Sequence, residues 1–223
     1  MILSRSRHEL AEAKYKRQEV VLGDEDMEST FRAIALANVA LCLPIGLYFR
    51  IRSVATGEKL ARTEEGLFTL IGLRLCGIAA WVVFAAYLIR PASVARFSLP
   101  LPLWLRWIGA AMALLVPPLL FWTFRSLGKN LTDTVVTRRE HTLVTHGPSR
   151  WVRHPFYDVV ALEMISMSLV TASGLLTLLG AMAVAMLFAR TRIEEAKLAE
   201  RFGAEYQAYA ERTGRFVPRL SSR

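Results

Sequence analysis

Residues 143–157 read LVTHGPSRWVRHPFY, and residues 190–209 read RTRIEEAKLAERFGAEYQAY. Between them runs an apolar stretch from Val159 to Ala189, interrupted at Thr171-Ala172-Ser173-Gly174. That stretch is too long for one crossing of a hydrocarbon core, which takes about 20 residues. Small and polar residues in its middle predict a tight helical hairpin. A hairpin returns the chain to the side it left. It therefore gathers Arg150, Arg153, His154, Tyr157, Glu194 and Glu195 at the ends of two apolar helices, where a membrane protein keeps such a cluster only for a use.

Working outward, the same character persists. The 223 residues are 53% hydrophobic and 21% charged, the balance of a membrane protein. Phe31–Phe49, Leu67–Ile89 and Leu103–Phe124 are each near the length of one crossing. With the hairpin arms these make about five spans. The expected fold is an all-α, polytopic membrane protein whose last two helices form the hairpin, followed by a C-terminal amphipathic cytoplasmic helix. Residues 1–30 form an N-terminal interfacial or cytoplasmic-like segment, residues 31–124 three transmembrane helices, and residues 125–223 a C-terminal region of polar loop, helical hairpin and C-terminal helix. Pro44 and Pro117-Pro118 fall inside spans and are expected to kink them. Cys42 and Cys76, with no metal-ligand spacing, read as packing residues. No secretory signal peptide is predicted, because the first apolar run begins only at Phe31.

The net charge of +9 is segregated. Eighteen of the 28 Lys and Arg residues fall between spans one and two, between spans three and four, and after Ala189. With five spans these segments share one face, which the positive-inside rule puts in the cytoplasm, of an inner or plasma membrane, together with both polar blocks. The basic N-terminal segment, with Arg5, Arg7, Lys14, Lys16 and Arg17, runs against this count. A basic face suits anionic lipid headgroups and is not arranged as a nucleic-acid patch. After Ala189, Leu198, Phe202, Tyr206 and Tyr209 recur at helical spacing and mark one apolar face of a tail helix. The connection from Arg125 to Pro148 is polar, with a short β-like segment at Thr134-Val135-Val136-Thr137.

The polar blocks carry the chemistry. Gly147-Pro148 and Pro155 constrain a turn that presents two arginines and a histidine just before a helix. Taken alone, RWVRHP is equally a basic anchor with Trp151 at the headgroups. Glu194 and Glu195 shift that balance: adjacent helical positions lie about 100° apart, so one carboxylate faces solvent while the other turns toward Arg153 and His154. A site with a guanidinium and a carboxylate clamp suits a ligand bearing both charges, such as an amino-acid moiety. Inside the spans, Glu163 is expected to face the bundle, neutral or hydrogen-bonded, or to pair with Arg74 or serve an acceptor.

LVTHGPSRWVRHPFY, the hairpin, RIEEAKLAERFGAEYQAY and the closing RFVP together resemble the isoprenylcysteine carboxyl methyltransferase family, which is related to the phospholipid N-methyltransferases. The resemblance runs from about Gly128 to Pro218. It implies a pocket for S-adenosylmethionine closed by the tail, with a lipophilic small molecule or prenylated acceptor arriving from the membrane lipids. His146, Gly147, Pro148, Arg150, Arg153, His154, Tyr157, Glu194, Glu195 and Tyr206 would bind the cofactor. Arg192, Glu195 and His154 would serve catalysis, and no metal is implied. Where the family has an aromatic residue after Gly-Pro and a glycine two places after the tyrosine, this chain has Ser149 and Val159. Two other functions suit the same pattern: a membrane reductase of the sterol-reductase type using NADPH, and a non-catalytic membrane scaffold. Neither the acceptor nor the oligomeric state is legible in the sequence.

Overall fold

The computed structural model describes residues 2–54, 67–128 and 142–219, with side chains from Glu25 to Arg52 and from Ile71 onward in those segments. Six α-helices follow one another: α1 (Ile2–Val54), α2 (Leu67–Ile89), α3 (Leu103–Leu127), α4 (Pro155–Thr171), α5 (Gly174–Phe202) and α6 (Ala204–Arg212). Short 3-10 turns occupy Pro91–Ser93, Ala95–Phe97 and Gly147–Arg150. The described residues contain no strands, only the isolated bridges Ser98–Ser173 and Val152–Gly214. The β-like segment expected at residues 134–137, and the basic residues Lys59, Arg62, Lys129, Arg138 and Arg139, lie outside the described residues.

Four helices are long and apolar enough to cross a membrane: Glu25–Arg52 within α1, Ile71–Ile89, Leu103–Leu127 and Gly174–Phe202. Large apolar side chains point outward from them, among them Ile89 at 83% and Leu114 at 74% exposure, as lipid contact requires. Five spans were expected. The first hairpin arm, α4, has 17 residues, short of the roughly 20 of a free-standing crossing. Nor does the backbone break at residue 30, since the first apolar span is part of one continuous 53-residue helix. The tail differs as well. Gly203, at φ +50, ends α5 and redirects the chain into α6, so the stripe from Leu198 to Tyr209 is divided between two helices.

The hairpin forms where the sequence has its breakers. Pro155 opens α4 at its first turn, where a missing N–H costs nothing. Ala172 closes it in the left-handed region (φ 47), and Ser173 caps α5 by accepting from the Leu176 N–H at 3.4 Å. The hairpin tip meets the α2–α3 connection, where the Leu99 N–H donates to the Ala172 carbonyl at 2.7 Å. Around α4 pack α3, α5 and α1, enclosing Phe31, Ala35, Phe84, Ala110, Ala113, Met167, Val170 and Leu176.

Two polar devices join helices inside this apolar body. Pro117 has no N–H to give the Ala113 carbonyl four residues back. Asn38 on α1 supplies the missing donor, its Nδ2 lying 2.9 Å from that oxygen. Near the hairpin tip, Arg106 of α3 donates to the Val170 carbonyl (3.1 and 2.8 Å) and to Glu28 (2.8 Å), and lies over the Phe31 ring. Arg74 is exposed on α2, whereas Glu163 lies beside Asn38 and Cys42 of α1, so the expected Arg74–Glu163 pair does not form. Cys76 is buried and Cys42 half-buried, both as free thiols.

Candidate functional site

The site is built where the turn at residues 147–154, the charged end of α5 and the segment after α6 converge. Gly147 stands at φ +62, and a Cβ there would overlap the Ser126 hydroxyl and come within 2.8 Å of the Ser126 Cβ. Only glycine therefore fits against the end of α3. The turn is fixed laterally by Trp122 against Trp151 (5.6 Å between centroids, edge-on) and by Phe124 stacked on Phe156 (5.4 Å).

His154 is buried and is the residue immediately before α4. Its Nε2 lies 3.3 Å from Glu195 Oε1 and its Nδ1 3.5 Å from Glu194 Oε2. Both glutamates thus turn inward, in place of the one expected. Their 100° separation on α5 lets them straddle a single imidazole. Glu194 also accepts from the Tyr157 hydroxyl and from Arg190 Nε at 3.0 Å. Glu195 accepts from Arg153 Nε at 2.9 Å, from Arg215 Nε at 3.1 Å and again from Arg215 Nη2. The pairing with Glu195 raises the pKa of Arg215 further above its ordinary value.

Arg153 does more than face a carboxylate. Its Nη1 donates to the carbonyls of Ala210 (2.9 Å) and Thr213 (2.6 Å), tying the end of α6 to the turn. From there residues 213–216 run alongside residues 151–154 as a short parallel strap. The Arg153 N–H donates to the Gly214 carbonyl (2.8 Å), the Gly214 N–H to Trp151 (3.1 Å) and the His154 N–H to Arg215 (3.2 Å). Phe216 then stacks on Phe188 of α5 (4.1 Å) and leans against the His154 ring (5.8 Å). His154 also stacks on Tyr157, 5.5 Å away and nearly parallel. Tyr209 donates to the Ser149 carbonyl at 2.7 Å. Burial pushes its phenol up to about 12, and does the same to Tyr206 with help from the Glu195 charge.

Among the sequence-derived candidates, Arg153, His154, Tyr157, Glu194, Glu195 and Tyr206 come together. Gly147 and Pro148 form the turn beneath them. Arg150 is exposed and lies over the Trp151 ring at 3.8 Å, and His146 and Arg192 are exposed outside the cluster. Sequence reasoning missed Arg190, Arg215, Phe216 and Thr213. The i, i+4 spacing of Arg190 and Glu194 was a readable signal for the first. The strap residues had none, apart from Arg215 and Phe216 belonging to RFVP. Among the described residues no group of three or more His, Cys, Asp or Glu side chains is arranged to hold a metal ion.

Apolar spanning helices with a buried, charge-paired site at one end define an integral-membrane protein. Residues 109–200 match the model of the isoprenylcysteine carboxyl methyltransferase (ICMT) family. The match covers α3 from Gly109 through the charged part of α5 and stops before the strap. The chain is 40% identical over 85 residues to the cobalt-zinc-cadmium resistance protein CzcN of Cupriavidus metallidurans, covering 38% of this chain and 39% of that protein. It is 34% identical over 116 residues to the nickel-cobalt-cadmium resistance protein NccN of Alcaligenes xylosoxydans xylosoxydans, covering 52% and 54%. The chain thus spans about half or less of these relatives' lengths. A solved structure of the eukaryotic intramembrane Ras methyltransferase ICMT aligns with 65% of this chain and 51% of its own, at 26% identity and a TM-score of 0.47.

Proposed function

We propose that the chain transfers a methyl group from S-adenosylmethionine to a lipophilic acceptor, an isoprenylcysteine-type carboxylate or a lipid, at the membrane–cytoplasm interface. The observation that carries this reading is the buried constellation of Arg153, His154, Tyr157, Glu194 and Glu195 under the strap, in a chain whose residues 109–200 match the ICMT family. On this reading α4 counts as a fifth crossing, since its far end meets the α2–α3 connection, and the site faces the cytoplasm.

The residues fit a cofactor that carries an amino-acid end and a sulfonium. Two carboxylates stand where an ammonium would be held, and the buried Tyr206 hydroxyl has no hydrogen-bond partner among the described residues. The rings of Tyr157, His154 and Phe216 pack together beside the carboxylates, and aromatic rings suit a cation. The bound cofactor supplies an electrophilic methyl. Glu194 and Glu195 would hold its ammonium, which is the charge their carboxylates complement. Arg153 keeps the strap docked and water out, and His154 positions both carboxylates. A methyl transfer needs an aligned nucleophile in a dry site more than it needs covalent help.

Calorimetry on the purified protein tests the reading. S-adenosylmethionine and S-adenosylhomocysteine are expected to bind, and Glu195→Gln and His154→Ala to abolish binding while the protein remains folded. Binding of NADPH in their place would support the reductase instead, and binding of none of the three would leave the scaffold.

A further inference from the structure

The end of the bundle away from His154, where the hairpin tip meets the α2–α3 connection, carries its own charged groups. Glu28 pairs there with Arg106. That leaves Arg32 of α1 with no carboxylate partner among the described residues, and Glu25 and Asp26 on the preceding turns are exposed. Arg32 Nη2 donates to the carbonyl of Leu88, in the last turn of α2, where carbonyls lack an intrahelical donor. Its Nε is shut off from water and has no acceptor among the described residues. Arg32 is therefore not a side chain simply extended into water to keep its charge wet. Beside it lies a cavity of about 270 Å³, lined by Ser29, Arg32, Ala33, Leu36 and Leu88. Four of these recur at helical spacing and form one wall from α1; Leu88 of α2 forms the other. Elsewhere α1 packs mainly on α3 and α4, and α2 on α5, so the cavity marks the seam between two spans.

We propose that this cavity seats the phosphate headgroup of a phospholipid, in the leaflet opposite His154. A guanidinium presents a planar fork that matches phosphate oxygens, and a phosphate supplies the negative charge that Arg32 lacks. Basic pockets between spanning helices are recurrent seats for lipid headgroups. The level is right, because Leu88 is the next-to-last residue of its span. The acyl chain also has a track. Leu36, Leu43 and Leu47 are exposed and continue the cavity's face of α1 into the bilayer. From Leu36 to Leu47 is about 16 Å at 1.5 Å per residue, close to half of a hydrocarbon core about 30 Å thick. A free phosphate would leave those leucines unused, and a headgroup without charge would leave Arg32 unpaired. The 17 residues of α4 put His154 about 25 Å away, so a lipid held here fills the α1–α2 seam and is not the methyl acceptor.

The test is binding of dioleoylphosphatidylglycerol, dioleoylglycerol and inorganic phosphate to the full chain in detergent, measured by native mass spectrometry. The phospholipid is expected to bind at least about tenfold more tightly than either of the others, as a charge-assisted hydrogen bond allows. Arg32→Gln is expected to lose that preference. Arg96→Gln, which removes an exposed cation at the same end but outside the cavity, is expected to keep it. Equal affinity for phospholipid and dioleoylglycerol, or a preference that persists in Arg32→Gln, overturns the site. Inorganic phosphate binding as tightly as the phospholipid overturns the lipid as its occupant. An equal loss in Arg96→Gln reduces the preference to diffuse attraction and overturns the site as well. Should Arg32→Gln fail to fold, Ser29→Glu decides, since it keeps the Arg32–Leu88 bond and puts a negative charge in the cavity: the same loss is expected, and an unchanged preference overturns the site.

Discussion

Replacing Arg153 by lysine is expected to release the strap without unfolding the bundle. Arg153 is 11% exposed and makes three side-chain hydrogen bonds: to Glu195, and from one nitrogen to Ala210 and Thr213. A hydrogen bond involving a charged group contributes about 1.5–3 kcal/mol net. An ammonium is a compact point charge that lacks the planar fork of a guanidinium. A lysine that keeps Glu195 therefore forfeits both carbonyls, a loss of about 3 kcal/mol after allowing for water reaching the vacated oxygens. At 1.4 kcal/mol per factor of ten this is about a hundredfold in the opening equilibrium of the strap. Hydrogen exchange reads it directly, through the Gly214 N–H bonded to Trp151 and the His154 N–H bonded to Arg215. Those amides should lose about two decades of protection, while amides in the middle of α3 and α4 remain as protected as before. Unchanged protection at Gly214 would refute the argument that Arg153 holds the strap.

Gly147→Ala should cost about 1–2 kcal/mol for the left-handed backbone alone, and more for the overlap with Ser126; Ser126→Ala should restore part of the thermal stability, and a stability equal to wild type in Gly147→Ala would contradict the turn's geometry. Asn38→Leu removes the donor to the Ala113 carbonyl and should destabilise by about 1–3 kcal/mol. In a Pro117→Ala background the backbone N–H returns, so the same change should cost less, and strict additivity in the cycle would contradict the pairing. Tyr209→Phe loses one buried bond to the Ser149 carbonyl, about 1 kcal/mol. Because the folded Tyr209 phenol ionises near 12 and a free one near 10, its contribution is complete below pH 10 and disappears as pH rises toward 12. An absorbance titration should show one fewer late-ionising phenol in the variant, and an unchanged number of late phenols would count against it.

Much of this protein is legible in one dimension because its signals are local. A run of about 20 apolar residues declares a crossing whatever surrounds it, and Thr171–Gly174 marked the turn that the Ala172 and Ser173 backbone makes. The Gly-Pro turn, the arginines and the paired glutamates were visible as residue types at a suggestive separation. Their partners were not. Whether one glutamate or both face inward depends on the angle at which α5 crosses α4, and helical periodicity gives only their angular difference. Arg150 and Arg153 are equivalent as letters, yet one lies on Trp151 and the other binds the strap.

The sequence by itself determined an all-helical membrane protein, the place of its hairpin and the two segments that make its site, since hydrophobic length and backbone breakers act within a few residues of each other. Tertiary structure alone decided that His154 sits between two carboxylates, that Arg215 and Phe216 close over it, and that Asn38 satisfies the carbonyl freed by Pro117. Those contacts join residues 20 to 75 positions apart. They depend on distances of a few tenths of an ångström, which only the packing of the helices sets.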